Sequence, residues 1–157
     1  MNGRNNTLLI LLALLLLGGG GYAVYTMTRG LRNNNPGNIR DDGTAWEGLA
    51  TPRNDGTFLV FTDPVYGIRA MGRILSNYVN ADGVTPSVTG IVSRWAPPSE
   101  NDTASYIADV ARKLGVDPNA PFDLSSALGP LVAALISHEN ALNPYSDAQI
   151  AHGLALS

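Results

Sequence analysis

The sequence predicts an α+β domain, mostly helical and carrying one small β-hairpin, preceded by an N-terminal transmembrane helix. Three observations predict it. Thr7 to Met27 holds no charged residue. One β-type run, Thr57-Phe58-Leu59-Val60-Phe61-Thr62, stands alone between Asp55-Gly56 and Asp63-Pro64. Everything after it shows apolar residues at three- and four-residue steps, the mark of amphipathic helices.

The N-terminal segment is nearly pure leucine from Leu8 to Leu17. As a helix, residues 7–27 would reach roughly 32 Å, enough to cross a bilayer's hydrocarbon core. Tyr22 and Tyr25 suit an interfacial belt. Two other readings stay open. One is a cleaved signal peptide, with Arg4 before the apolar run and Gly21-x-Ala23 as its small-residue site. The other is a weak anchor, because Gly18–Gly21 lower helix propensity. Arg4 in front and Arg29 and Arg32 behind fix no orientation. The division expected is 1–28 as anchor or signal and 29–157 as the working domain. The anchor would place the body on the cell-wall (periplasmic) side or in a virion membrane, with residues 7–27 in the lipid bilayer.

Residues 32–56, rich in Asn, Pro, Gly and Asp, read as turns. Ala45-Trp46-Glu47-Gly48 is the expected hairpin partner of 57–62. A helix follows from Tyr66 with Ile68, Met71, Leu75, Tyr78 and Val79 on one face, ending at Asp82-Gly83. A second covers Ser87 to Trp95. A third starts at Asn101-Asp102-Thr103 and closes at Gly115. A short fourth begins at Asp123, and a fifth runs from Pro130 to about Asn140. That fifth helix is apolar nearly all round, which predicts a buried central position. Residues 146–156 give a last short helix.

Charge excludes one class of partner. Past residue 28 there are 9 cations against 13 acids, a balance of −4. Neutralising phosphates needs a basic face, so no nucleic-acid partner is expected. Without cysteine there is no disulfide, thiolate metal site or cysteine nucleophile. His138 and His152 are not at metal-ligand spacing, so neither metal nor cofactor is expected.

The chain has three glutamates: Glu47, Glu100 and Glu139. Glu139 ends the most apolar helix of the body. Desolvation there, and the negative end of the helix dipole, favour the protonated acid that glycosidic cleavage requires. The plainer reading is an exposed Glu just past a buried helix. Glu47, beside Trp46, is either an exposed turn carboxylate or a cleft group. Glu100-Asn101-Asp102-Thr103 reads first as a helix N-cap. Trp46, Trp95 and Tyr106 read first as core, although tryptophans beside Pro- and Gly-rich loops also suit sugar stacking.

Arg29-Gly30-Leu31-Arg32-Asn33-Asn34-Asn35-Pro36-Gly37-Asn38-Ile39-Arg40 resembles the opening of a family of phage and prophage structural proteins linked to peptidoglycan degradation and a lysozyme-like fold. The likeness continues through Trp46-Glu47-Gly48, Asp55-Gly56-Thr57-Phe58, Gly67-Ile68-Arg69-Ala70, Arg94-Trp95-Ala96-Pro97-Pro98 and Glu100-Asn101-Asp102-Thr103-x-x-Tyr106 to His138-Glu139-Asn140. It spans nearly all of 29–157. A looser likeness is to bacterial glucosaminidases and lytic transglycosylases. In those a helix ending in a catalytic Glu precedes a hairpin with a Trp-x-Gly turn. Here the hairpin elements come first and the Glu helix last, and Glu139-x-x-x-Asn143-Pro144 is similar to the transglycosylase run. The resemblance therefore suggests a circular permutation.

The resemblance implies an enzyme cleaving the β-1,4 bond between N-acetylmuramic acid and N-acetylglucosamine, for cell-wall penetration or host lysis. Glu139 would be the acid and Tyr106 its positioning partner. Asn38, Trp46, Glu47, Phe61, Glu100 and Asn101 would line the groove for peptidoglycan glycan strands. With one convincing carboxylate, a transglycosylase route using Glu139 as acid and then base stands ahead of a muramidase with a second acid. The alternative is a non-catalytic virion membrane protein that keeps a wall-binding lysozyme-like fold.

Overall fold

The computed structural model describes residues 27–156. In order they form α1 (Arg29–Arg32), β1 (Leu49–Asn54), β2 (Leu59–Phe61), α2 (Pro64–Asn80), α3 (Val88–Trp95), α4 (Thr103–Leu114), α5 (Leu124–Asn140) and α6 (Asp147–Ala155). The mostly helical layout with one two-stranded antiparallel sheet matches the sequence reading. The membrane part of that reading is corrected. Among the described residues no helix is long and apolar enough to cross a membrane. The segment expected to span, 7–27, lies outside the described residues except for Met27. A single-pass anchor, and the membrane location drawn from it, have no support among the described residues.

Polar residues stop and start the helices where side-chain oxygens can take the free N–H groups of a first turn. Asp63 accepts from the Val65 amide at 2.9 Å, Ser87 from Gly90 at 3.1 Å and Asp102 from Ser105 at 3.1 Å. Asp123 caps α5, and Ser146 with Gln149 closes a capping box on α6. Gly115, at φ +68°, ends α4 in the left-handed region.

Two boundaries differ from the sequence expectation. The partner of β2 is Leu49–Asn54, not 45–48, because the chain still turns at Gly48 with φ +74°. The fourth and fifth helices are one helix, α5, with Pro130 inside it. Proline suits the first turn of a new helix, so the sequence reads it as a start. Burial of Leu131, Val132, Leu135 and Ile136 outweighs the one backbone hydrogen bond that proline removes.

The main core joins α2, α3, α4, α5 and α6 around Ile68, Met71, Leu75, Ile91, Val92, Val110, Leu131, Leu135 and Ile150. A small second cluster, Leu59, Phe61 and Ala70, lies under the hairpin with Trp46, Leu49 and Tyr66 packed on it.

The Asn-rich motif fastens the hairpin to the end of α5. Asn35 is fully buried; its amide nitrogen donates to the carbonyls of Ile39 and Leu59, each at 2.9 Å, and its oxygen accepts from the Ile39 amide at 2.9 Å. Asn34 donates to the Phe61 carbonyl at 3.0 Å. From the other side Asn140 donates to the Pro36 carbonyl at 2.8 Å and accepts from the Thr28 hydroxyl. These bonds join chain segments about a hundred residues apart, and they set the loop 36–40 beside Glu139.

Candidate active site

Glu139, the last residue but one of α5, is half-buried in a groove of about 330 Å³. One wall is the loop Gly37 to Arg40 with Phe58; the other is Trp95 to Pro97 with Glu100 and Asn101. Three neutral donors meet the carboxyl group. The Tyr106 hydroxyl donates to Oε1 at 2.8 Å, Trp95 Nε1 donates to Oε1 at 3.2 Å, and Asn38 Nδ2 donates to Oε2 at 2.9 Å. Each comes from a different part of the chain: α4, the end of α3 and the Asn-rich loop.

Local structure explains how they reach it. Asn38 sits at φ +49°, a left-handed conformation that asparagine tolerates better than most residues. Its amide is thereby turned toward α5. Gly37 leaves room for Trp95: a Cβ on it would stand 2.9 Å from Met71 and 3.0 Å from the Trp95 ring. Tyr106 is 4% exposed. Burial, then the neighbouring Glu139 charge, pushes its phenol well above the ordinary range, so it remains a donor. Behind it the His138 ring stacks at 3.6 Å between centroids and 18° between planes. His138 Nδ1 is 2.8 Å from Asp109 Oδ2. Lys113, with His138 and Arg112, holds the Asp109 carboxyl far below the usual carboxylate range against its partial desolvation. Tyr106 is thus fixed by a stacked ring that is itself tied to a charge cluster.

The other expected site residues divide. Asn38, Glu100 and Asn101 line the groove with Glu139. Phe61 does not: it is 1% exposed and belongs to the small core. Trp46 packs on that same core, and its Nε1 is buried without a hydrogen-bond partner. Glu47 is exposed, lies 3.2 Å from the guanidinium of Arg69 and is not among the residues that line the groove. The groove that was expected to hold Trp46 and Phe61 is built from Phe58 and Trp95 instead.

Strand parity accounts for the exchange. Leu59 and Phe61 point into the core, so Phe58, one residue out of step, faces the groove. That alternation is written in the sequence. Trp95 and Arg40 were missed as groove residues, and the signal that could have found them is their place in the Arg94-Trp95-Ala96-Pro97-Pro98 and Asn38-Ile39-Arg40 strings.

A larger cleft of about 1220 Å³ lies between α2, α5 and α6, lined by Val79, Phe122, Leu128 and Leu154 among others. Its acids are Asp123, engaged in capping α5, and Asp147, in the first turn of α6. Side chains from three parts of the chain converge on a single carboxyl in the smaller groove, at Glu139. Asp55 is held by Arg29 at 2.6 Å and Asn33 at 2.6 Å. Among the described residues no cluster of His, Asp or Glu is arranged to hold a metal ion.

No protein-family model matches the chain. It is 44% identical over 133 residues to Protein P5 of Pseudoalteromonas phage PM2, an alignment that covers 83% of this chain and 82% of that protein. With that identity over most of both sequences, the chain belongs to the family of the phage PM2 protein P5, a family of phage proteins.

Proposed function

We propose that this phage protein cleaves the glycan strands of bacterial peptidoglycan at the β-1,4 bond that joins N-acetylmuramic acid to N-acetylglucosamine. The observation that carries the reading is the placement of Glu139 in an open groove with three neutral donors on its carboxyl oxygens. A carboxyl oxygen has two good acceptor sites. Oε1 has both filled, by Tyr106 and Trp95, whereas Oε2 takes only Asn38. Oε2 therefore keeps an open site through which a proton can pass to or from a bound sugar.

Glu139 gives that proton to the departing glucosamine O4 as the C1–O4 bond breaks. The 6-hydroxyl of the muramic sugar attacks C1 and returns its own proton to Oε2. The C1–O6 bond replaces the C1–O4 bond, Glu139 ends as it began, and no water is used. Tyr106 and Trp95 hold the carboxyl in place through both steps. Water can substitute for the 6-hydroxyl, which would give hydrolysis from the same site.

The test compares the full chain with Glu139→Gln on purified cell wall, following solubilised glycan and product mass. The change keeps the shape and removes the proton, so release should fall roughly a hundredfold or more. Release by Glu139→Gln near the unmutated rate refutes the reading. A second reading is a virion component that binds wall glycan in the groove without cutting it. Kinship with a phage protein supports this one more directly than it supports catalysis. Wall binding with no sugar released by the unmutated chain would decide for it.

A further inference from the structure

Arg40 and Glu100 are 60 residues apart in sequence and face each other from opposite walls of the Glu139 groove. Arg40 belongs to the loop that carries Asn38; its backbone bridges Phe58, and its guanidinium lies 5.8 Å from the Phe58 ring centre. Glu100 belongs to the connection between α3 and α4. The two meet through one bond, Nη2 to Oε2, at 3.3 Å, with side chains 67% and 60% exposed. Among the described residues lining the groove, Arg40 is the one cation.

The pairing is poor for the groups involved. A guanidinium matches a carboxylate best through two parallel bonds of about 2.7–2.9 Å. Here a single longer bond leaves the rest of the fork unused. Ion pairs this exposed hold little and exchange readily. A glycan strand lying along the groove must pass Arg40, and a carboxylate on that strand could take both arms of the fork at once.

We infer that Arg40 is a specificity determinant that takes a carboxylate of the substrate, and that Glu100 stands in for that carboxylate while the groove is empty. The inference deepens the wall-glycan reading of this groove and rests on it. Muramic residues carry a carboxylate on a free lactyl branch or, where a peptide occupies the lactyl carboxyl as an amide, on that peptide, whereas a plain N-acetylglucosamine polymer carries none. Arg40 therefore selects anionic strands over neutral ones of the same backbone. The two residues have opposite effects: losing Arg40 removes the receiving cation, and losing the Glu100 charge removes the competitor.

The experiment uses the full chain and two substrates, peptide-bearing wall glycan fragments and the same fragments with their carboxyl groups reduced to alcohols. On the carboxylated fragments Arg40→Met should raise KM about tenfold or more, the scale of one lost charge-assisted contact, with kcat little changed. Glu100→Gln should lower KM, and Arg40→Lys should recover part of the loss. On the reduced fragments the unmutated chain should already show the raised KM. Equal losses on both substrates, or shifts of the same sign for Arg40→Met and Glu100→Gln, would overturn the inference. Should neither fragment be cut, the catalytic reading fails separately, and calorimetric titration with the same two fragments still decides. A preference for the carboxylated fragment that vanishes in Arg40→Met supports the role of Arg40; no preference overturns it.

Discussion

Asn140 is the residue on which the geometry of the groove depends most, and Asn140→Ala measures that dependence. Its side chain is 2% exposed. It donates to the Pro36 carbonyl at 2.8 Å and to the Ile136 carbonyl at 3.0 Å, and its oxygen accepts from the Thr28 hydroxyl. The Ile136 carbonyl sits within α5, so its loss matters least. The Pro36 carbonyl has no helix to fall back on. A buried acceptor left without a donor costs about 1–3 kcal/mol, and the Thr28 bond adds about 1 kcal/mol. The expected total is roughly 2–4 kcal/mol. For a body of this size that corresponds to a fall in Tm of roughly 6–20 °C. Urea unfolding followed by circular dichroism should show a lower midpoint with an unchanged slope, since the surface exposed on unfolding stays the same. The loop 36–40 would also lose its tie to α5, so the wall cleavage proposed for this groove should fall by more than the folded fraction explains. A destabilisation below about 0.5 kcal/mol would show that the Asn-rich motif does not anchor the hairpin through Asn140.

Two further changes test other parts of the fold. The guanidinium of Arg29, with Asn33 and the amides of Phe58 and Thr57, holds the Asp55 carboxyl far below its ordinary range, against a smaller desolvation effect. A depressed folded pKa stabilises above the unfolded value, about 3.9, and that stabilisation is lost as pH falls toward the folded one. The stability gap between the unmutated chain and Asp55→Asn should thus be constant above about pH 5 and shrink steadily below about pH 4; a gap independent of pH down to acid unfolding would contradict the pairing. Gly129 lies inside α5 directly before Pro130, whose Cδ crowds a Cβ on the preceding residue in helical backbone. Gly129→Ala should therefore fall short of the gain of about 0.5–1 kcal/mol that alanine brings over glycine elsewhere in a helix, and the full gain in the same urea titration would contradict a helical backbone through Gly129-Pro130.

Much of the helical scaffold was legible because its signals are local. Asp63, Ser87, Asp102, Asp123 and Ser146 are short polar side chains placed just before apolar periodicity, and each caps a helix. The errors came where tertiary packing overrides local preference. Pro130 reads as a helix start, but a helix buried on most of its surface tolerates the missing bond. Ala45-Trp46-Glu47-Gly48 reads as the strand that pairs with 57–62, yet the strand begins at Leu49. At the site, Glu139 and Tyr106 stand out singly, one by its place at the end of an apolar helix and the other by resemblance. Nothing local says that Trp95 Nε1 and Asn38 Nδ2 point at the same carboxyl, since they come from residues 44 and 101 positions away.

The adjacency of Glu139 and Asn140 shows why the motif is so dense in asparagine. Successive helix residues point about 100° apart, so one helix end serves two directions. Asn140 turns inward and binds the Pro36 carbonyl and Thr28; Glu139 turns to the groove and receives Asn38. Pro36 and Asn38 belong to the same short loop. A shift of that loop along α5 would break both contacts together, and a correct Asn140 contact places Asn38 on Glu139 without further adjustment. Asn35 locks the loop's own shape through three bonds, and Asn34 and Asn33 tie it to Phe61 and Asp55. Each asparagine supplies a donor and an acceptor on a short side chain, which a loop without regular backbone pairing needs to satisfy its buried carbonyls. The motif therefore works as an adaptor: it converts a hairpin at one end of the chain into one wall of a groove whose acid lies at the other.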